Sequence, residues 1–208
     1  MTDPRRFTPA AARNRDPILA VLRPRLPAAG LVLEVASGSG EHALHLAAAL
    51  PALTFQPSDP DPGARASIDA WAAEAGLANI RPAVALDAAA PDWPVAAADA
   101  VVCINMIHIA PWAACEGLVH GAARILPAGA PLILYGPYRR GGAHTAPSNA
   151  AFDADLRARD PAWGVRDLEA VADLAAAQGF GPPEAVEMPA NNLTVIVRRL
   201  DGPTPGLR

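Results

Sequence analysis

The stretch best suited to hold a ligand is V-L-E-V-A-S-G-S-G-E-H, residues 32–42. An apolar run over residues 31–36 ends in S-G-S-G, so a buried strand is expected to turn into a helix there. Without a Cβ, Gly38 and Gly40 let the backbone approach a bound group closely. The amides that open the following helix would face that group. Read through Gly38, Gly40 and Ala43, with Asp59 downstream, the stretch also fits the G-x-G-x-x-A fingerprint of a dinucleotide site. Glu34 points elsewhere. A carboxylate within the strand repels a pyrophosphate and suits a cation such as the sulfonium end of S-adenosylmethionine.

Asp59 closes the second strand-like run and offers two oxygens to vicinal ribose hydroxyls. Asp61 could take that place, or either residue could form an Asx turn in the Pro-rich loop P-S-D-P-D-P-G. Asp87 follows the third run, suited to an adenine amino group or to a helix cap. All three fall on the carboxyl edge of a parallel sheet, where open α/β folds bind ligands. On the acceptor side, Asn105, Met106, Ile107 and His108 follow the fourth run as N-M-I-H, not as the N/D-P-P-Y that grips a planar nitrogen. His108 could orient or deprotonate an acceptor, or be a core-edge histidine bonded to backbone. Tyr138, Arg139, Arg140 and His144 lie on a polar loop that Gly141 and Gly142 could make a lid; a merely solvated loop is the other reading. Asn191 and Asn192 are turn formers or acceptor-binding donors. Arg13 and Asn14 could fold over the cofactor, with Arg13 on its carboxylate, or be surface charge and helix cap.

The elements that must position these residues alternate along the chain. Helices are expected over residues 16–26, 41–50, 63–75 (with Gly76 as C-cap), 112–125, 149–159 and 167–178. Strands are expected over 31–36, 53–56, 80–86, 100–105, 131–135, 184–188 and 193–199. The last two are joined by P-A-N-N, too short for a parallel crossover, so they must be antiparallel. The fold class expected is therefore α/β: a mostly parallel seven-stranded sheet with a C-terminal antiparallel strand and helices on both faces. One domain over residues 1–208 is the expectation, with a loose N-terminal arm (1–12) and tail (200–208).

Composition sets limits. The net charge of −4 argues against broad nucleic-acid binding. All 17 basic residues are Arg, which removes Schiff-base chemistry. Cys103 and Cys115 sit in apolar segments without C-x-x-C spacing, and no Cys/His cluster suggests a metal. No apolar run is long enough to span a membrane, and no signal peptide opens the chain; a cytoplasmic protein is expected, its oligomeric state open.

Taken together, R-N-R-D-P-I-L, L-E-V-A-S-G-S-G-E-H, Q-P-S-D, I-N-M-I-H-I, L-Y-G-P-Y, S-N-A-A-F-D, W-G-V-R-D and P-A-N-N-L resemble the DUF938 family, whose animal relatives are called methyltransferase-like protein 26. The resemblance spans residues 6–199. It implies a Rossmann-like class I methyltransferase fold and S-adenosylmethionine as cofactor, with Ala36 standing where the methyltransferase motif E/D-x-G-x-G-x-G has its first glycine. The cofactor positions are then Arg13, Asn14, Glu34, Ala36, Gly38, Gly40, His42, Asp59, Asp87 and Asn105. Met106, His108, Tyr138, Arg139, His144, Asn191 and Asn192 are left for a small-molecule acceptor, with His108 and Tyr138 as catalytic candidates. The resemblance supplies no acceptor. A nicotinamide-dependent oxidoreductase and a non-catalytic S-adenosylmethionine-binding protein are the alternatives.

Overall fold

The computed structural model describes residues 3–202. The chain runs α1 (Pro9–Leu22), β1 (Gly30–Val35), α2 (Glu41–Ala49), β2 (Leu53–Ser58), α3 (Pro62–Ala75), β3 (Ala100–Ile104), α4 (Trp112–Ile125), β4 (Pro131–Pro137), β5 (Arg139–Arg140), β6 (Ala143–His144), α5 (Pro147–Arg159), α6 (Leu168–Ala177), β7 (Glu184–Met188) and β8 (Asn192–Arg198). The main sheet has the order β2-β1-β3-β4-β8-β7. The first four of these are parallel, and β8 lies antiparallel between β4 and β7. The terminal hairpin expected from P-A-N-N is present, its turn carrying Ala190 and Asn191 at φ 59°.

Strand period two sorts the core. Leu33 and Val35 of β1, with Val101 and Cys103 of β3, pack toward Leu118 of α4 and Val171 of α6. Val32, Phe55, Val102 and Ile133 pack toward Ile18 of α1 and Leu46 of α2. Both cysteines are buried and free. None of the helices is long and apolar enough to cross a membrane.

Three expectations change. The strand expected over 80–86 is reduced to two isolated bridges, Phe55 to Ile80 and Ser58 to Val84, so the main sheet has six strands. Pro82 sits between those bridges with no N–H to donate. Helix α1 begins at Pro9, not 16, with Thr8 as N-cap and Pro9 in the first turn, and ends at Leu22 ahead of Pro24. The arm, expected to be loose, is tied to α3 from Arg5 onward, where Arg5 pairs with Glu74. The Arg6 N–H donates to Ser67 Oγ at 2.8 Å, and Trp71 Nε1 donates to the Arg6 carbonyl at 3.1 Å. Phe7 stacks edge-on against Trp71 at 4.9 Å. The Leu200 N–H still bonds the Gly179 carbonyl; residues 203–208 of the expected tail lie outside the described ones.

The approach of α3 to the glycine turn gives a test. Gly40 has φ +91°, and a Cβ there would fall 2.8 Å from Ile68 Cα. Gly40→Ala should lower unfolding stability by about 2–4 kcal/mol in chemical denaturation, from left-handed strain plus overpacking. Gly38→Ala, which meets no atom within 4 Å, should cost only about 1 kcal/mol.

Candidate functional site

Where β1 ends, the backbone makes the turn that the glycines foretell. Ala36, Gly38 and Gly40 all lie at positive φ (59°, 59° and 91°). For Ala36 this is a conformation L residues seldom adopt. The absent Cβ of Gly38 would point into open space. Helix α2 then starts with Gly40 as an N-cap that makes no side-chain bond, which leaves its first amides for a ligand.

Around this turn lies a cleft of about 320 Å³. Glu34, Ala36, Gly38, His42, Asn105 and Met106 line it, as expected positions. Sequence reasoning missed Thr8, Ala10, Ala11, Ile104 and Ile109, which line it too, with Ser37 and Ser39 of the glycine turn. The signal for the first three was T-P-A-A, an N-cap followed by Pro at N1. Thr8 is held in place by its N–H on Glu41 Oε2 at 2.7 Å, and Ser39 Oγ donates to the same oxygen at 2.9 Å.

Glu34 is the unusual member. It is 2% exposed, and its Oε2 has no hydrogen-bond partner. Burial pushes its pKa up to about 7, with a Ser37 hydrogen bond acting the other way and Asp59 adding repulsion. His42 Nε2 donates to Asn14 Oδ1 at 2.8 Å; burial drives its imidazole down to about 4, so it is neutral at pH 7. Asn14 also reaches the Tyr135 hydroxyl, which Asn192 approaches from β8.

The acidic positions separate. Asp59 is buried at the carboxyl end of β2; its Oδ2 accepts from the Gly38 N–H at 3.0 Å and its Oδ1 from the Asp61 N–H at 2.9 Å. Asp61 instead caps α3 through the Gly63 N–H at 2.9 Å and pairs with Arg6 at 2.6 Å. Asp87 is exposed and closes an Asx turn on the Ala89 N–H at 2.9 Å. Arg13 is exposed on α1 and away from the cleft lining.

The acceptor-side residues are not gathered in one open site. His108 and Tyr138, expected to be catalytic, are 0% and 1% exposed and lie in the core, not on the cleft. Both follow strand ends at which the chain turns inward. Burial drives the His108 pKa down to about 3 and the Tyr138 pKa well above its usual value, so neither titrates near neutrality. The expected loop contains the β5–β6 hairpin. Its turn is held by the Gly141 N–H on Glu169 Oε2 (3.1 Å) and the Gly142 N–H on Asp167 Oδ2 (2.7 Å). Arg139 pairs with His144 across the hairpin. His144 lies 3.4 Å from Asp153, and Arg140 lies 3.0 Å from Glu187. Asn191 donates to Ser148 Oγ and Asn192 to the Pro189 carbonyl.

A parallel sheet closed by an antiparallel hairpin, with a glycine turn after its central strand, is the Rossmann-like fold of class I methyltransferases. The solved structures agree on that fold. An O-methyltransferase family protein from Burkholderia thailandensis matches with TM-score 0.75 at 17% identity, over 93% of this chain and 60% of its own. Human N-acetylserotonin methyltransferase, in complex with its cofactor SAM, matches at 0.73 and 14%, over 90% and 52%. The YcgJ protein of Bacillus subtilis matches at 0.70 and 14%, over 92% and 100%. The chain thus spans little more than half the length of the first two. It belongs to the DUF938 family, a protein family of unknown function, whose model matches residues 5–199.

Glu34 makes apo stability depend on pH. Its folded pKa, near 7, lies above the ordinary 4.5, so the folded state holds the proton more tightly. Stability from this group is intact below pH 4.5 and is lost as pH rises through 7, by about 2–4 kcal/mol. Glu34→Gln should therefore unfold at higher denaturant than the parent at pH 8, while at pH 4 the two curves should converge.

Proposed function

We propose that this chain transfers a methyl group from S-adenosylmethionine to a small-molecule acceptor. The observation that carries the reading is the buried Glu34 carboxyl on the cleft wall, whose Oε2 has no hydrogen-bond partner. A protein keeps such a costly group where a ligand supplies the counter-charge, and a cation does so where a pyrophosphate would not. The bound cofactor supplies an electrophilic methyl group. The Gly38–Gly40 backbone and the start of α2 would carry its anionic end. Asp59, which keeps lone pairs beyond its two backbone bonds, would take the ribose hydroxyls.

Methyl transfer is an in-line displacement, so the chain's task is alignment and exclusion of water. Ala10 and Ala11 of α1, and Ile109 beyond β3, wall the cleft with apolar groups. The negative net charge and the absence of N/D-P-P-Y support a small acceptor over a nucleic acid. The same Glu34 disfavours a nicotinamide-dependent oxidoreductase.

Calorimetry tests this directly. S-adenosylmethionine should bind and NADH should not. Because the cation needs an ionised Glu34, affinity should rise about tenfold from pH 6 to pH 8, with proton release on binding below pH 7. Glu34→Gln should flatten that dependence. Asp59→Ala should weaken binding by about 1.5–3 kcal/mol and leave the fold intact, whereas Asp61→Ala should act on stability alone. Binding of NADH in place of S-adenosylmethionine would overturn the assignment.

A further inference from the structure

Beside the cofactor cleft, the N-terminal arm and helices α1, α2 and α3 bound a second hollow of about 550 Å³. Phe7, Leu44, Ala48, Trp71, Ala75 and Leu77 form its apolar wall. The helix period explains that wall. On α2, Ala43, Leu46 and Ala47 are buried, while Glu41, Leu44, His45 and Ala48 recur at i, i+3, i+4 and i+7 on another face. That face spans about 10 Å of helix. On α3, Trp71 and Ala75 continue the i+4 row that passes through the buried Ser67.

Phe7 is 69% exposed, yet the backbone on both sides of it is fixed. The Arg6 N–H and carbonyl bond Ser67 and Trp71 of α3, and the Thr8 N–H bonds Glu41 of α2. The Phe7 ring meets Trp71 edge-on, with 80° between the planes. A phenyl ring held out in water keeps the cost of its hydration, which a ligand's apolar surface would remove. Two rings set nearly at right angles offer an edge and a face, which suit a flat aromatic guest better than a flexible chain.

Three ionisable residues share the hollow: Arg15, Glu41 and His45. Two of them are engaged. Glu41 Oε2 accepts from the Thr8 N–H at 2.7 Å and from Ser39 Oγ at 2.9 Å, and His45 Nε2 lies 2.9 Å from Asp16 Oδ1. Arg15 is exposed, and among the described residues no carboxylate forms an ion pair with it. The charge left over is therefore positive. It is felt beyond the hollow: after burial, His45 and then Arg15 disfavour a proton on His42. A cationic guest would be repelled by that field, and an anionic one would neutralise it.

We propose that this hollow is a second ligand site, for an aromatic monocarboxylate whose rings lie against Phe7, Trp71 and Leu44 and whose carboxylate pairs with Arg15. One free guanidinium matches one carboxylate. The hollow and the cofactor cleft share no lining residue, so the site stands whatever the cleft binds.

Indole-3-acetate and its neutral amide, indole-3-acetamide, test this on the full chain by calorimetry and NMR. The acid should bind about fivefold more tightly than the amide, the upper end for a partly solvated ion pair. It should shift the Trp71 indole N–H and the Leu44 and Ala48 methyl signals, and leave those of Ala36 and Met106 in the cleft unmoved. Arg15→Gln, a change on an exposed helix face, should bring the acid down to the affinity of the amide. Ala48→Phe, also at an exposed position, should fill the hollow and abolish binding of both. Equal binding of acid and amide, a preference that survives Arg15→Gln, binding undiminished by Ala48→Phe, or shifts confined to the cleft would each overturn the proposal. So would a parent chain that binds no acid at millimolar concentration.

Discussion

A buried carboxyl group, one of its oxygens without a partner, near the end of the central strand is the constraint around which the rest of the site is arranged. Glu34 sits on β1, with β2 on one side and β3 on the other, and lines the cleft. Its side chain shares a strand face with Val32, the face covered by α1 and α2. At the cleft α1 contributes the apolar Ala10 and Ala11, and α2 contributes the imidazole of His42. Asp59, across the β1–β2 pair, adds a second negative charge that raises the cost. A core selected for stability alone would replace Glu34, since an unpaired buried carboxyl is among the more expensive groups a fold can hold.

The backbone near Glu34 is committed to the same end. Ala36, Gly38 and Gly40 take left-handed conformations within five residues, and the Gly38 N–H is tied to Asp59 while the Ser37 N–H bonds the Ser58 carbonyl at 2.8 Å. The turn is therefore braced against β2 and does not depend on a ligand for its shape. The N-terminal strap reaches the same turn from the other side. Ser67 Oγ accepts from Arg6 and donates to the Ser39 carbonyl at 2.7 Å, so one hydroxyl links strap, α3 and glycine turn.

What the sequence showed, and what it hid, follow from the range of the interactions involved. The glycine turn, the apolar strands and the closing hairpin are local signals, and they were legible in residues 30–58 and 184–199. The strap was not, because its anchors are Ser67 and Trp71, some 61 to 65 positions away in the chain. The edge strand expected over 80–86 failed at Pro82, where an apolar run met a residue that cannot complete a ladder. Asp61 and Asp59 looked interchangeable because type and spacing are alike; what separates them is that one side chain caps α3 and the other turns to Gly38. His108 and Tyr138 were singled out for their chemistry; for His108 the structure bears out the core-edge alternative, bonded to backbone, while type and spacing carried no sign that the Tyr138 ring faces the core.

That inward turn changes what His108 can contribute. A histidine on an open cleft could take up and release a proton near pH 7. This one cannot: burial holds it neutral, and the Arg166 amide occupies its only lone-pair nitrogen. What remains is a fixed N–H dipole, whose value lies in direction and not in titration. Glu34 shows the opposite case: it lines the cleft, and its burial brings its titration into the neutral range. Desolvation thus acts differently on the two groups. On the cleft wall it brings a carboxyl group to the edge of ionisation. In the core it removes a titration and leaves His108 a role in packing and hydrogen bonding.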